Sequence, residues 1–270
     1  MIILHEQKRW SALWEWKKAT DPQISDGFIT SISSIYRDEK VYCPAIHREE
    51  ILNSIMGICD RESACKFVQH WGMFGFDSDF KAHREPKESI GDILDFAEYT
   101  KRIIEIKWLL KQYIDDPYIA KIETEEWIKK HYESFFSEAE KILLPETIPD
   151  GHGDEDAYKF YLTLKLSSLR RDFNNKELRN VYIKLSPSGR PLIDFIGLYC
   201  FILFCLLSDE NEPIMIPREC EDPKCKNLFF PTESGERQKY CPPPIGKKRS
   251  LCEQRHGQAE RRRNTKKETH

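Results

Sequence analysis

Four cysteines within the last 55 residues constrain this 270-residue chain more than any other feature. Cys220 and Cys225 form a C-x4-C pair, Cys241 follows after fifteen residues, and Cys252 after ten more. The segment that carries them has few apolar side chains, chiefly Leu228, Phe229, Phe230, Tyr240, Ile245 and Leu251. So small a core does not normally fold without a staple. Four thiolates suit a closed tetrahedral zinc site, with metal–sulfur distances of about 2.3 Å. Structural zinc contributes an apparent ~10–16 kcal/mol in small finger peptides, more than those few side chains can supply. A sphere closed by four protein sulfurs leaves no position for an activated water, so the expectation is one structural Zn2+ in a binding module. The alternative is a set of ordinary buried or surface cysteines. His256, four residues after Cys252, is a reserve ligand if one cysteine is not used, and otherwise a surface or phosphate-contacting residue.

The chain has nine cysteines, an odd and unevenly spaced set, which argues against a secreted disulfide scaffold and for a reducing, cytoplasmic setting. Cys43, Cys59, Cys65, Cys200 and Cys205 are then core or free thiols. The longest apolar run, residues 195–207, has thirteen residues, whereas a membrane span needs roughly 17–25. It is expected to be a buried core helix from about 192 to 207, with no membrane role. The apolar start Met1-Ile2-Ile3-Leu4 meets His5-Glu6-Gln7-Lys8-Arg9 too early for a secretory signal.

Charge is divided along the chain. The total is −3, but residues 217–270 carry 14 Lys and Arg against 8 Asp and Glu, a net of +6, which leaves −9 on the first 216 residues. From Arg237 onward the excess is +8. An acidic body with a basic tail points to a polyanionic partner, against the alternative of a solvated, solubilising tail.

The body reads as mostly helical. Trp10, Leu13, Trp14 and Trp16 make an amphipathic segment ending near Asp21-Pro22, and a homodimer built through it is allowed. Residues 28–42 are open between strand and irregular structure. Helices are expected over 49–58, 63–71 with Asp60 as N-cap, 90–113 and 124–144. Residues 149–156 read as a loop that misses the calcium pattern, with Glu155 where glycine is required and Tyr161 where the bidentate Glu belongs. Helical patterning resumes at 157, residues 181–185 could be a strand, and Ser186-Pro187-Ser188-Gly189 is a turn signal. No Gly-rich phosphate loop, nucleophile elbow or His-Glu-x-x-His stretch is present, so no enzyme is expected and no catalytic residue is named.

In the tail, Leu228-Phe229-Phe230 and Arg237-Gln238-Lys239-Tyr240 read as a hairpin, and residues 251–265 as a helix with Cys252 in its first turn. The chain is therefore expected to be mainly α, with a helical body over 1–215 and a small α+β, treble-clef-like zinc finger over 216–270.

The tail resembles the CGNR-type zinc finger of bacterial proteins, including the predicted stress-induced transcription regulators whose N-terminal part is the ABATE domain. Cys220, Cys225, Phe229, Lys239, Tyr240, Cys241, Cys252 and Arg255 match that pattern in kind and order, and Ala259-Glu260-Arg261-Arg262-Arg263 is similar to its basic helix. The chain departs from it in having Glu253-Gln254 for Gly-Asn and ten residues between the last two cysteines, where four are common. Residues 64–75 are similar to a Phe-x-x-x-x-Gly-x-Leu-Gly stretch in proteins ending in such a finger. The resemblance implies a nucleic-acid-binding regulator, with DNA as partner.

The same conclusion is favoured by Lys247, Lys248, Arg249, Arg255, Arg261, Arg262, Arg263, Lys266 and Lys267, which crowd one short stretch. On a helix, Arg255, Arg262 and Lys266 share a face. Such cations would contact phosphate without reading sequence. The second expectation is an RNA-associated or protein-interaction module in a bacterial stress or defence pathway, with Phe229, Phe230 and Tyr240 either stacking on unpaired bases or packing the small core.

Overall fold

The computed structural model describes residues 16–17, 23–30, 41–42, 44–76, 87–137, 141, 155–176, 181–185, 191–195, 197–207, 217–232, 238–243 and 248–268. Among these, seven α-helices and short antiparallel strand pairs make up a mainly α protein. The helices are α1 (Arg48–Met56), α2 (Arg61–Trp71), α3 (Ile90–Asp115), α4 (Pro117–Phe135), α5 (Glu155–Lys176), α6 (Leu198–Leu207) and α7 (Leu251–Glu268). The strands are β1 (Trp16–Lys17), β2 (Gln23–Ser25), β3 (Phe28–Thr30), β4 (Val41–Tyr42), β5 (Lys87–Ser89), β6 (Val181–Leu185), β7 (Pro191–Phe195), β8 (Arg218–Glu219) and β9 (Leu228–Phe229).

The 26-residue α3 is the axis of the body and packs against α1, α2, α4, α5 and α6. Ile90, Ile93, Ala97, Thr100, Ile103, Ile104, Ile106, Leu109 and Tyr113 are buried along it, a band too wide for a helix with a single covered face. Asp116 ends α3 and starts α4: its N–H donates to the Gln112 carbonyl, and its side chain accepts from the Ile119 N–H, with Pro117 in the first helical turn. α2 starts at Asp60 as expected, in a capping box with Ser63.

The short α6 is apolar all round, with eight of its ten residues buried. It has no basic residue in its last turn, so neighbouring helices supply the cations. Lys107 Nζ donates to the Leu206 carbonyl at 2.9 Å and Arg170 Nε to that of Leu207 at 3.0 Å. Lys165 does the same for α4, donating to the Phe135 carbonyl at 2.7 Å while lying over the Phe135 ring.

Four local expectations are corrected. Residues 191–195 are not helical but form β7, paired through its five residues with β6, and the core helix begins at Leu198. The helix expected over 124–144 starts earlier, at Pro117, because the Asp116 cap sets its start, and it ends at Phe135; Lys141 is helical again, and 138–140 and 142–144 lie outside the described residues. Trp16, read as part of an amphipathic helix, is in β1 opposite Tyr42, while Trp10, Leu13 and Trp14 lie outside the described residues. Leu228-Phe229 pairs with Arg218-Glu219, while Gln238, Lys239 and Tyr240 are not in a strand and Arg237 lies outside the described residues. The near strand wins because the loop between Cys220 and Cys225 brings its own two flanks together.

The boundary expected at 215/216 lies outside the described residues. Beyond it, Phe230 is fully buried in the core of the helical body and Leu228 packs at its margin. Cys220, Phe229 and Cys252 form a second, much smaller core with Cys225, Tyr240 and Cys241 around it.

Candidate metal centre

The first two cysteines are presented by a tight loop between β8 and β9. The Cys220 N–H donates to the Asn227 carbonyl at 2.9 Å and closes the loop at its base. Within it the Asp222 carbonyl accepts from Cys225 N–H at 2.8 Å and from Lys226 N–H at 3.2 Å, while Asp222 Oδ1 accepts from Lys224 N–H at 3.1 Å. This is an Asx turn, a local alternative to helix or strand that Asp favours. Lys226 completes it at φ +50°, a left-handed conformation that L residues adopt at some cost.

The third ligand segment is held alongside by a hydrogen bond from Glu221 N–H to the Lys239 carbonyl, 2.9 Å, which sets Tyr240 and Cys241 against the loop. The fourth arrives on α7. Buried Ser250 caps that helix, its Oγ accepting from Glu253 N–H at 3.1 Å, and Cys252 falls in the first turn. A sulfur there lies in the positive field of a helix N-terminus, which favours the thiolate.

The four Sγ atoms of Cys220, Cys225, Cys241 and Cys252 all lie within 4.8 Å of one another. Cys225 and Cys241 are 3.6 Å apart, far beyond the ~2.05 Å of a disulfide. A tetrahedron with arms of about 2.3 Å has edges of ~3.8 Å, so the sulfurs stand where one four-coordinate ion would hold them. One loop, one extended segment and one helix thus bring together the four cysteines that the spacing singled out. His256 is not among the clustered ligands; its ring lies against that of Tyr240, with centres 5.0 Å apart and planes tilted by 33°.

The chemistry of the donor set also fits a cation. Burial, followed by the proximity of Cys225 and Cys220, pushes the Cys241 thiol far up, and burial raises Cys252 to about 11. At Cys225 burial acts in the same upward direction, but hydrogen bonds from the Asn227 N–H and the neighbouring thiols outweigh it and lower the value. Cys241 and Cys252 would then give up their protons when a positive ion binds.

The cations named from the sequence divide into groups. Lys247 lies outside the described residues. Lys248 and Arg249 are exposed just before α7, with Arg249 Nε 3.9 Å from Glu253 Oε1. Arg261, Arg262, Arg263, Lys266 and Lys267 are on the backbone of α7, in its C-terminal half. Arg255 turns toward the sulfur cluster, with Nη2 2.7 Å from Asp222 Oδ2 and 3.5 Å from Cys252 Sγ. Asp222 and Ser250 escaped sequence reasoning, although an Asp after the first cysteine and a Ser before the helix are recognisable turn and cap signals.

Among the described residues no helix is long and apolar enough to cross a membrane. Comparison of the chain with family models, with curated proteins and with solved structures finds no match.

Proposed function

We propose that the protein is a nucleic-acid-binding regulator, a bacterial DNA-binding transcription factor of CGNR type, whose C-terminal unit is closed by one structural zinc ion. The observation that carries this reading is the position of Cys252: the helix that completes the metal site is the same helix that bears the basic run. Metal binding and the placing of six Lys and Arg side chains are then one event. Thiolate ligands at tetrahedral spacing favour zinc among the common ions, and a closed sphere makes its role structural. The reading takes the body as the part that senses or dimerises and places the protein in the cytoplasm, where thiols stay reduced.

Binding to duplex DNA should weaken steeply with salt, each neutralised phosphate contributing about −0.9 to the slope of log K against log salt. The test is binding of zinc-loaded protein to duplex and single-stranded DNA and RNA at several salt concentrations, with the triple variant Arg261→Ala, Arg262→Ala, Arg263→Ala alongside. Weaker binding and a flatter slope in the variant are expected. Unchanged binding would remove the basic helix from the mechanism.

One observation favours a second reading, an RNA-associated module. The Tyr240–His256 ring pair stands beside the first turn of α7, where an unpaired base could stack. Preference for single strands over duplex in the same experiment would select it.

A further inference from the structure

Among the described side chains of the basic set, Arg255 is the one that touches the sulfur cluster. It lies three residues after Cys252 on α7, so helical geometry sets both on the side that meets the cysteine loop. Its Nη2 donates to Cys252 Sγ at 3.5 Å and forms an ion pair with Asp222 Oδ2, 2.7 Å away. Asp222 is only 6% exposed, and its other polar atoms already shape the loop that presents Cys220 and Cys225. A single acidic residue therefore builds the loop and grips the helix that brings the fourth sulfur. The charges call for such a contact: four thiolates around a divalent ion leave a net −2, the Asp222 carboxylate adds to it, and a guanidinium against both offsets part of the repulsion. A planar guanidinium can donate to a sulfur in a fixed direction while its delocalised charge lies against a carboxylate, which a flexible ammonium does less well.

We propose that Arg255, held by Asp222, is a positioning residue of the metal centre rather than a phosphate contact of the basic helix. It locks Cys252 in register with the Cys220–Cys225 loop and hydrogen-bonds the metal-bound sulfur. The proposal rests on the four-thiolate metal reading above and takes one cation away from the nucleic-acid surface. Outer contacts of this kind are worth 10–100-fold in metal affinity in other sites.

The full chain with Arg255→Gln, Asp222→Asn, Arg255→Lys and the double change tests it, with Arg262→Gln as control. Zinc affinity is measured by competition with a chromophoric chelator, the sulfur-to-metal charge-transfer band on the Co2+-substituted protein, and nucleic-acid salt slopes at saturating zinc. Arg255→Gln and Asp222→Asn should each weaken zinc binding by about 10–100-fold, and the double variant by no more than either alone. Arg255→Lys should recover part of the loss, and the cobalt band should move in Arg255→Gln but not in Arg262→Gln. The salt slope should stay at the wild-type value in Arg255→Gln and fall by about 0.9 in Arg262→Gln. Metal affinity within about twofold of wild type for Arg255→Gln, with a slope reduced by about 0.9, overturns the proposal alone. A wild-type chain that takes up no metal overturns the metal reading, and this proposal with it.

Discussion

Asn53 and Phe230, 177 residues apart, satisfy each other's hydrogen bonding: Asn53 Nδ2 donates to the Phe230 carbonyl at 2.8 Å, and the Phe230 N–H donates to Asn53 Oδ1 at 2.7 Å. The amide of a helix α1 residue thus acts as a strand partner for the end of β9, just where Phe230 enters the body's core. The four-cysteine unit is joined to the helical body by a polar clasp over an apolar anchor.

Asn53→Ala should leave the buried Phe230 peptide groups unpaired and cost about 1–3 kcal/mol. Phe230→Ala should cost about 3–5 kcal/mol, as expected for a large ring removed from a packed core. Urea unfolding gives the totals. Amide exchange distinguishes the two changes, because Asn53→Ala should raise exchange over 217–232 while sparing α3. Unaltered exchange there would show that the clasp does not hold the unit.

Metal analysis should find about one ion per chain. Cys220→Ser or Cys241→Ser should release it and unfold the segment around the sulfur cluster, with circular dichroism retaining the signal of the body helices. Because Cys252 is held up at about 11 and Cys241 higher still, adding metal to the reduced, metal-free protein at pH 8 should release their protons into a weakly buffered solution. An absence of proton release would contradict a thiolate-bound ion.

Stability should respond to pH with two opposite slopes. Burial raises Glu88 from 4.5 to about 7, against the pull of hydrogen bonds from the N–H groups of Phe74, Gly75 and Phe76. The folded chain binds this proton more tightly than the unfolded chain, so stability falls as pH rises from 4.5 to 7, by about 3 kcal/mol over the window. His131 has the reverse sign: burial, then Lys130 and Arg102, lowers it from 6.5 to about 4, so stability falls as pH drops from 6.5 toward 4. Between pH 4.5 and 6.5 the two contributions oppose each other in the wild type, so urea unfolding should show stability rising with pH in Glu88→Gln and falling with pH in His131→Gln. A wild-type profile in Glu88→Gln would show that this carboxyl is not the source.

Gly197 should not tolerate a side chain. A Cβ there would stand 2.5 Å from the Gly75 carbonyl oxygen and 2.6 Å from that of Phe74, both backbone atoms. The same Phe74 oxygen accepts the Tyr199 N–H at 3.1 Å at the start of α6, so it cannot withdraw freely. Gly197→Ala is expected to cost at least the 1–3 kcal/mol typical of overpacking, as measured by denaturant unfolding. A stability equal to wild type would mean that the loop at 74–75 gives way.

Several elements were legible from the residues alone because their signals are local. Asp60 with Ser63 marks the start of α2, and Ser250 before Leu251 would have marked that of α7. The start of α4 was missed for a physical reason: Ile114, Tyr118, Ile119 and Ile122 are apolar yet exposed, which blurs the buried stripe, although Asp116-Pro117 is a sound cap. β7 was missed because its end lies in a long apolar run without periodicity, where strand and buried helix look alike. Only cross-strand pairing with β6 separates Phe195 from the helix that begins at Leu198.

The sequence by itself determined the mainly helical body, the four sulfurs and the basic helix that follows them, since each depends on residue type and spacing within a few turns of chain. Tertiary structure decided which strand pairs with Leu228-Phe229, that Phe230 is clasped by Asn53 into the body, and that Arg255 faces Asp222 and Cys252. These are contacts between segments that no local periodicity links. Burial and the pairing of polar groups select them only once the chain has closed on itself, so a charge counted from the sequence with the basic tail is found against the Asp222 carboxylate and the Cys252 sulfur.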